Sequence, residues 1–270
     1  LGNPHNREAL ANYAVRMESG RGIVLLANVM PAGNLEQNAR RRDMAENQIK
    51  EFCRQKNIQA FPVIATGDNL LNTTAHLIQS VSIGSIRPNI CLYGFSQSSD
   101  KVKDLMDRVR VGCAHGLNQV LVALPSSKKE IVRPSRQQKQ FIDIWWRGQD
   151  NGKLMIILGH LMGRNWEWSN SELRIIRVVE DEVGLEPARS ALKALVEEAR
   201  VEASVIALVK DRPFQEILYH QSGFSDCVFL GFDIPHSGEE EQWYANYAQL
   251  LKNMPPTLLV HARTEEDVLT

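Results

Sequence analysis

Eight short apolar runs, spaced by longer amphipathic stretches, do most to limit what this chain can fold into. They are Gly22–Val29 (GIVLLANV), Ala60–Thr66 (AFPVIAT), Asn89–Phe95 (NICLYGF), Gln119–Leu124 (QVLVAL), Leu173–Val179 (LRIIRVV), Ala203–Val209 (ASVIALV), Asp226–Asp233 (DCVFLGFD) and Thr257–His261 (TLLVH). Continuous apolar runs of this length mark strands covered on both faces. Helical patterns lie between them, over Leu35–Asn57, Asn69–Gly84, Lys101–His115, Glu186–Val201, Pro213–Gln221 and Glu239–Asn253, with another over Asn3–Ser19. On the Leu35–Asn57 helix the predicted inward residues are Met44, Ile49, Phe52 and Cys53. Strands that alternate with helices form parallel sheets joined by right-handed crossovers. The fold class is therefore α/β: a tandem of two parallel-sheet units with helices on both faces.

The likeness of NICLYGF to DCVFLGF suggests that one unit has been duplicated. The predicted division is 1–127 for the first unit, 128–140 for a polar, basic linker containing Pro134, and 141–270 for the second. The second unit opens on Phe141–Gly163 (FIDIWWRGQDNGKLMIILGHLMG). Ile142, Ile144 and Trp146 alternate with Asp143 and Trp145, which predicts a short strand or extended edge. GQDNG is dense in turn formers. The apolar run after it is far shorter than the roughly 20 residues that cross a bilayer. Trp145 and Trp146 cannot both enter one core from an extended segment. One of them is expected to face a neighbour: the other half, a second chain or another domain.

The net charge of −1 excludes non-specific nucleic-acid binding as the main activity. Residues 1–135 carry 17 Lys and Arg against 11 Asp and Glu, and residues 136–270 carry 14 against 21. Such asymmetry marks either a surface that meets something else or two differently solvated surfaces. Cys53, Cys91, Cys113 and Cys227 form no Cys-x-x-Cys pair, so they read as buried thiols of a reducing compartment. No signal peptide or membrane-spanning run is present. The chain begins at Leu1 without Met and reads as an excised piece of something longer.

Little in the sequence points to chemistry. A dinucleotide site needs glycines in the first strand-to-helix turn. That turn is NVMPAGN in the first half and VVEDEVGLEP in the second, where Glu180, Asp181 and Glu182 repel phosphate. Ser96, Ser98 and Ser99 precede a helix and read as capping residues rather than an anion site. Asp233 and His236 follow a strand and lack a nucleophile; the simpler reading is a loop with Ser237 capping the next helix. Asp211 reads as another cap. His115 and His160 stand alone and read as structural. Arg40, Arg41 and Arg42 form a basic run on a polar helix, either solvated or touching anionic lipid or a partner. Glu239–Glu241 suits the first turn of its helix. No catalytic, cofactor-binding or metal residues are assigned, and no enzyme activity is expected.

IDIWWRGQDNGKLMIILGHLM resembles a stretch of the cation–chloride cotransporters, a family of the amino-acid-permease superfamily. NPHNREALANYAVRMESGRGIVLLANVM and EFCRQKNIQAFPVIA resemble earlier segments of the same family, in the same order. The resemblance spans nearly the whole chain, and the Trp-Trp segment is its most specific part. The long insertion with phosphorylatable residues found between the halves in eukaryotic members is missing, as in a prokaryotic member. The resemblance implies a cytosolic carboxy-terminal domain behind a membrane transporter. There it forms a tandem of two universal-stress-protein-like units, a homodimer that regulates transport, partners the transmembrane domain and does no chemistry. Universal stress proteins hold ATP with a loop that begins Gly-x-x-Gly, and no Gly-x-x-Gly occurs in this chain. Trp145, Trp146, Arg40, Arg41 and Arg42 are the expected interaction residues. The competing reading is a soluble, universal-stress-type nucleotide-binding sensor. An enzyme on a doubly wound fold is less favoured, because no acid, base and nucleophile converge.

Overall fold

The computed structural model describes residues 7–81, 87–95, 98–125 and 139–263. Two compact units result, one of Leu1–Leu92, Asp104–Gln119 and Arg263–Thr270, the other of Tyr93–Lys103 and Val120–Ala262. The predicted linker lies mostly outside the described residues, and Gln140 at its end opens a strand.

In the first unit α1 (Glu8–Glu18) leads to β1 (Leu25–Pro31), α2 (Leu35–Lys56), β2 (Phe61–Gly67) and α3 (Leu70–Ser80). Helix ends follow local chemistry. Asn34 accepts the Gln37 N–H at 2.9 Å and starts α2; Asn69 accepts the Asn72 N–H at 3.0 Å and starts α3. Both are N-caps, which satisfy donors that the first turn leaves unpaired. Asn57 ends α2 in the left-handed region, a conformation Asn tolerates better than most residues. Strands β1 and β2 pair in parallel, with Leu25 opposite Phe61. Their core joins Ala11 of α1, Leu26 of β1 and Ile49, Phe52 and Cys53 of α2. Met44 is not inward as predicted: it is 63% exposed and Ala45 is buried. Ala45 lies four residues before Ile49 and seven before Phe52, so it shares their face, whereas Met44 is rotated off it.

At the boundary come β3 (Ile90–Gly94), α4 (Val102–Ala114) and β4 (Asn118–Ala123). The second unit adds β5 (Gln140–Trp145), α5 (Gln149–Arg164), β6 (Ser171–Val179), α6 (Leu185–Ala199), β7 (Ser204–Val209), α7 (Phe214–Ser222), β8 (Cys227–Gly231), α8 (Glu240–Leu250) and β9 (Thr257–His261). Among the described residues its sheet has seven strands in the order β3-β4-β9-β8-β5-β6-β7, to which β3 and β4 lend their later residues. The predicted short strand at 142–146 is not an edge. β5 is central, paired in parallel with β6 on one side and β8 on the other.

Helices cover both faces of β5. Ile142 and Ile144 point to α5, where Gly159 permits close approach: a Cβ there would lie 2.9 Å from Leu173 and 3.1 Å from Ile144. Asp143 and Trp145 point the other way, to α7. Trp146 lies beyond the strand and bonds through its N–H to Ile176 O at 2.7 Å. Cys53, Cys113 and Cys227 are buried, Cys91 is half-buried, and none forms a disulfide. Among the described residues no helix is long and apolar enough to cross a membrane.

Candidate functional site

In the second unit the chain runs from β5 outward through β6 to β7, then returns to the other side of β5 for β8 and β9. The order therefore reverses between β5 and β8. Open parallel sheets hold ligands at such a point, beyond the carboxyl ends of the strands.

Here the crevice is occupied by the chain's own side chains. Asn151, in the first turn of α5, donates from Nδ2 to Phe232 O at 3.3 Å and accepts the Ala262 N–H through Oδ1 at 2.7 Å. One amide thus ties α5 to the ends of β8 and β9. Gly231 leaves room for it, since a Cβ there would come within 3.1 Å of Asn151 Nδ2. Trp146 lies half-buried against Gly152, where an added Cβ would meet its ring at 2.4 Å. Neither neighbour can be enlarged without displacing these two side chains.

Aromatic packing fills the space beside them. Trp243 donates Nε1–H to Asp233 O at 3.0 Å and packs at 5.7 Å on Phe232 and 4.6 Å on Tyr247. Tyr244 stacks on Phe95 at 5.5 Å. Burial, with a smaller push from the Asp233 charge, raises the Tyr247 hydroxyl to about 12. The acidic Asp150 in the first turn of α5 opposes the anion attraction of the helix dipole.

Beneath this end of the sheet lies a polar cluster that the sequence did not reveal. Asp143 is fully buried in the middle of β5. Arg174 grips both its oxygens, through Nε at 2.6 Å and Nη2 at 2.7 Å. Ser222 and Ser225 donate their hydroxyls to Asp143 Oδ2 at 2.5 and 2.6 Å. Trp145 donates Nε1–H to Ser222 Oγ at 3.0 Å, and its ring meets Phe214 edge-on at 5.3 Å. The Arg174 guanidinium sits 4.4 Å above the Phe141 ring. Asp226 accepts the Phe141 N–H at 2.8 Å; burial raises its carboxyl above the usual range, with a smaller push from Asp143. Every partner here is structural: the carboxylate is fully buried and held by three side chains, out of a substrate's reach.

The remaining predicted residues are dispersed. Arg40 pairs with Glu36 at 2.6 Å on the exposed start of α2, and Arg41 and Arg42 are exposed beside it. Ser96 lies outside the described residues. Ser98 turns its hydroxyl to the Asp100 carboxylate rather than to a helix N–H. Asp211 does not cap α7, whose N-cap position is Pro213 and which has no side-chain cap. It pairs with Arg212 at 2.8 Å, and that hydrogen bond lowers its carboxyl pKa. Ser237 does not cap α8 either; Glu240 accepts the Gly238 N–H at 2.8 Å instead. Asp233 and His236 are both exposed. His115 is held by Val111 O at 2.8 Å and by Gln79 at 2.9 Å. Among the described residues no three His, Cys, Asp or Glu side chains are grouped to hold a metal.

The family model of solute carrier family 12 matches residues 7–109 and 125–213, well over half of the chain. Potassium/chloride cotransporter 3 of Caenorhabditis elegans is 24% identical over 203 residues, covering 73% of this chain and 19% of that protein. The chain thus spans about a fifth of that relative's length. Among solved structures, the cytoplasmic domain of a prokaryotic cation chloride cotransporter matches with a TM-score of 0.62 at 12% identity, over 97% of this chain and 94% of the other. A universal stress protein from Archaeoglobus fulgidus matches with a TM-score of 0.56 at 13% identity, over 95% and 93% of the two chains. One from Pseudomonas aeruginosa matches with a TM-score of 0.50 at 12% identity, over 92% and 95%. These likenesses establish a universal-stress-protein-like α/β fold, and the family match adds lineage: the chain belongs to solute carrier family 12.

Proposed function

We propose that the chain is the cytosolic regulatory and dimerisation domain of a membrane cation–chloride cotransporter. The parent protein would couple chloride to potassium, sodium or both, and this domain would do no chemistry. What supports the absence of a ligand is the filling of the β5–β8 crevice by Asn151 and Trp146. The domain lies on the cytoplasmic side of the membrane, joined to the transmembrane part of the same polypeptide. Its ancestry is a duplication, 1–127 and 141–270 about the segment 128–140. Coupling is mechanical: a ligand, partner or second copy that favours one arrangement of the domain biases the transporter's states. Of the interaction residues, Arg40, Arg41 and Arg42 offer exposed charge to an anionic membrane surface or to the transmembrane part. Trp146 offers its open edge, and Trp145 acts from within by fixing α7.

Nucleotide tests this reading against the sensor alternative. A site with a Kd of about 10 µM would gain about 2.7 kcal/mol from 1 mM ATP, an upward melting shift of roughly 5–10 °C. The expected result is no shift. A clear upward shift would establish a nucleotide sensor and overturn the proposal that the crevice is closed.

A further inference from the structure

α5 is the helix of the most family-specific stretch, and its outward face is unusual. The inward face is apolar, as the sheet requires: Met155, Ile156, Leu158 and Met162 are buried. Yet the opposite stripe is not simply polar. Asp150, Ile157 and Arg164 follow one another at seven-residue spacing, which keeps them nearly in line along an α-helix. All three are exposed, Ile157 by 54%. Leu154 and Leu161 flank Ile157 and are half-buried, and exposed Lys153 shares the face one turn from Asp150, so an apolar centre lies between an end that carries both signs and a basic end. Among the described residues neither Asp150 nor Arg164 has an ion-pair partner, whereas exposed charges elsewhere do, such as Arg40 with Glu36 and Arg189 with Glu186.

This stripe is complementary to itself. Set against a second copy in antiparallel orientation, Ile157 falls on the two-fold axis and meets its own counterpart. Asp150 then faces Arg164 of the second copy, and Arg164 faces its Asp150. A two-fold interface must pair one patch with itself in this way. Antiparallel helices pack with axes 8–10 Å apart when their crossing is shallow. A membrane surface makes no use of opposite charges at the two ends. We infer that the outward face of α5 is the centre of a homodimer interface and takes α5 of a second copy in antiparallel orientation. A standard interface buries about 1,200–2,000 Å² in total, more than one helix pair covers, so neighbouring surface adds to it. The inference rests on the dimer reading above and names the surface that reading lacks.

The test is the dimer dissociation constant of the 270-residue chain by sedimentation, with melting recorded for every variant. Ile157→Glu puts two carboxylates face to face at the centre and is expected to abolish the dimer. Asp150→Arg and Arg164→Glu each set like charges opposite one another twice and should weaken it about tenfold or more. The double variant D150R/R164E restores opposite charges and should recover the affinity to within about threefold. The helix dipole disfavours that double exchange, so its melting temperature should fall while its dimer returns. A purely structural role cannot produce those opposite movements. A dimeric parent whose affinity ignores Ile157→Glu and both charge reversals would overturn this surface and leave the dimer reading standing. A parent that stays monomeric at every concentration would overturn both.

Discussion

Replacing Arg174 by Met is expected to destabilise the second unit by about 3–5 kcal/mol. Arg174 makes two charge-assisted bonds to the fully buried carboxylate of Asp143. Met fills much the same volume but leaves that charge with only the two serine hydroxyls, in a place water does not reach. The loss is therefore dominated by the orphaned charge and not by lost packing. A thermal or urea unfolding curve reads it, as a fall of roughly 6–20 °C for a domain of this size. The second variant separates the causes. Asp143→Asn combined with Arg174→Met removes the charge, keeps an acceptor for the hydroxyls, and should recover a large part of the loss. If the double variant is no more stable than Arg174→Met alone, packing and not the buried charge holds this place together.

Trp145→Ala is the second large effect, expected at about 3–5 kcal/mol for removal of a large buried ring. The ring is 4% exposed, and its Nε1–H reaches Ser222, the last residue of α7. Trp145→Phe keeps an aromatic ring but loses the hydrogen bond and leaves a smaller cavity, so it should cost less, about 1–3 kcal/mol. Equal losses from the two substitutions would show that the hydrogen bond outweighs the ring, contrary to the area argument. Because Trp145 and Asp143 share Ser222, combining Trp145→Phe with Asp143→Asn should depart from additivity.

The alternation of apolar runs with amphipathic stretches carried the architecture, because buried parallel strands need uninterrupted apolar surface on both faces. β9 was legible at both ends, and the other strands to within a few residues. What escaped was what depends on partners distant in the chain. β5 read as a short strand or extended edge because its apolar residues alternate with Asp143 and Trp145; only β6 and α7 supply the arginine and serine that make burial of that carboxylate possible. Asn151 read as a turn residue, and its role depends on the ends of β8 and β9, about 80 and 110 residues later. The caps at Asp211 and Ser237 were misplaced because Arg212 and Glu240 compete for the groups involved. No local signal marked the α5 stripe: the seven-residue spacing of Asp150, Ile157 and Arg164 is visible in the sequence, but its exposure is not.

The proposed account is of a domain that works by contact. The most direct test of that account is an immunoblot of fractionated source cells with an antibody against this domain. The account predicts a membrane-bound band much larger than 30.5 kDa, which would carry the next experiment to chloride flux in the full-length protein. A band near 30.5 kDa in the soluble fraction would contradict it.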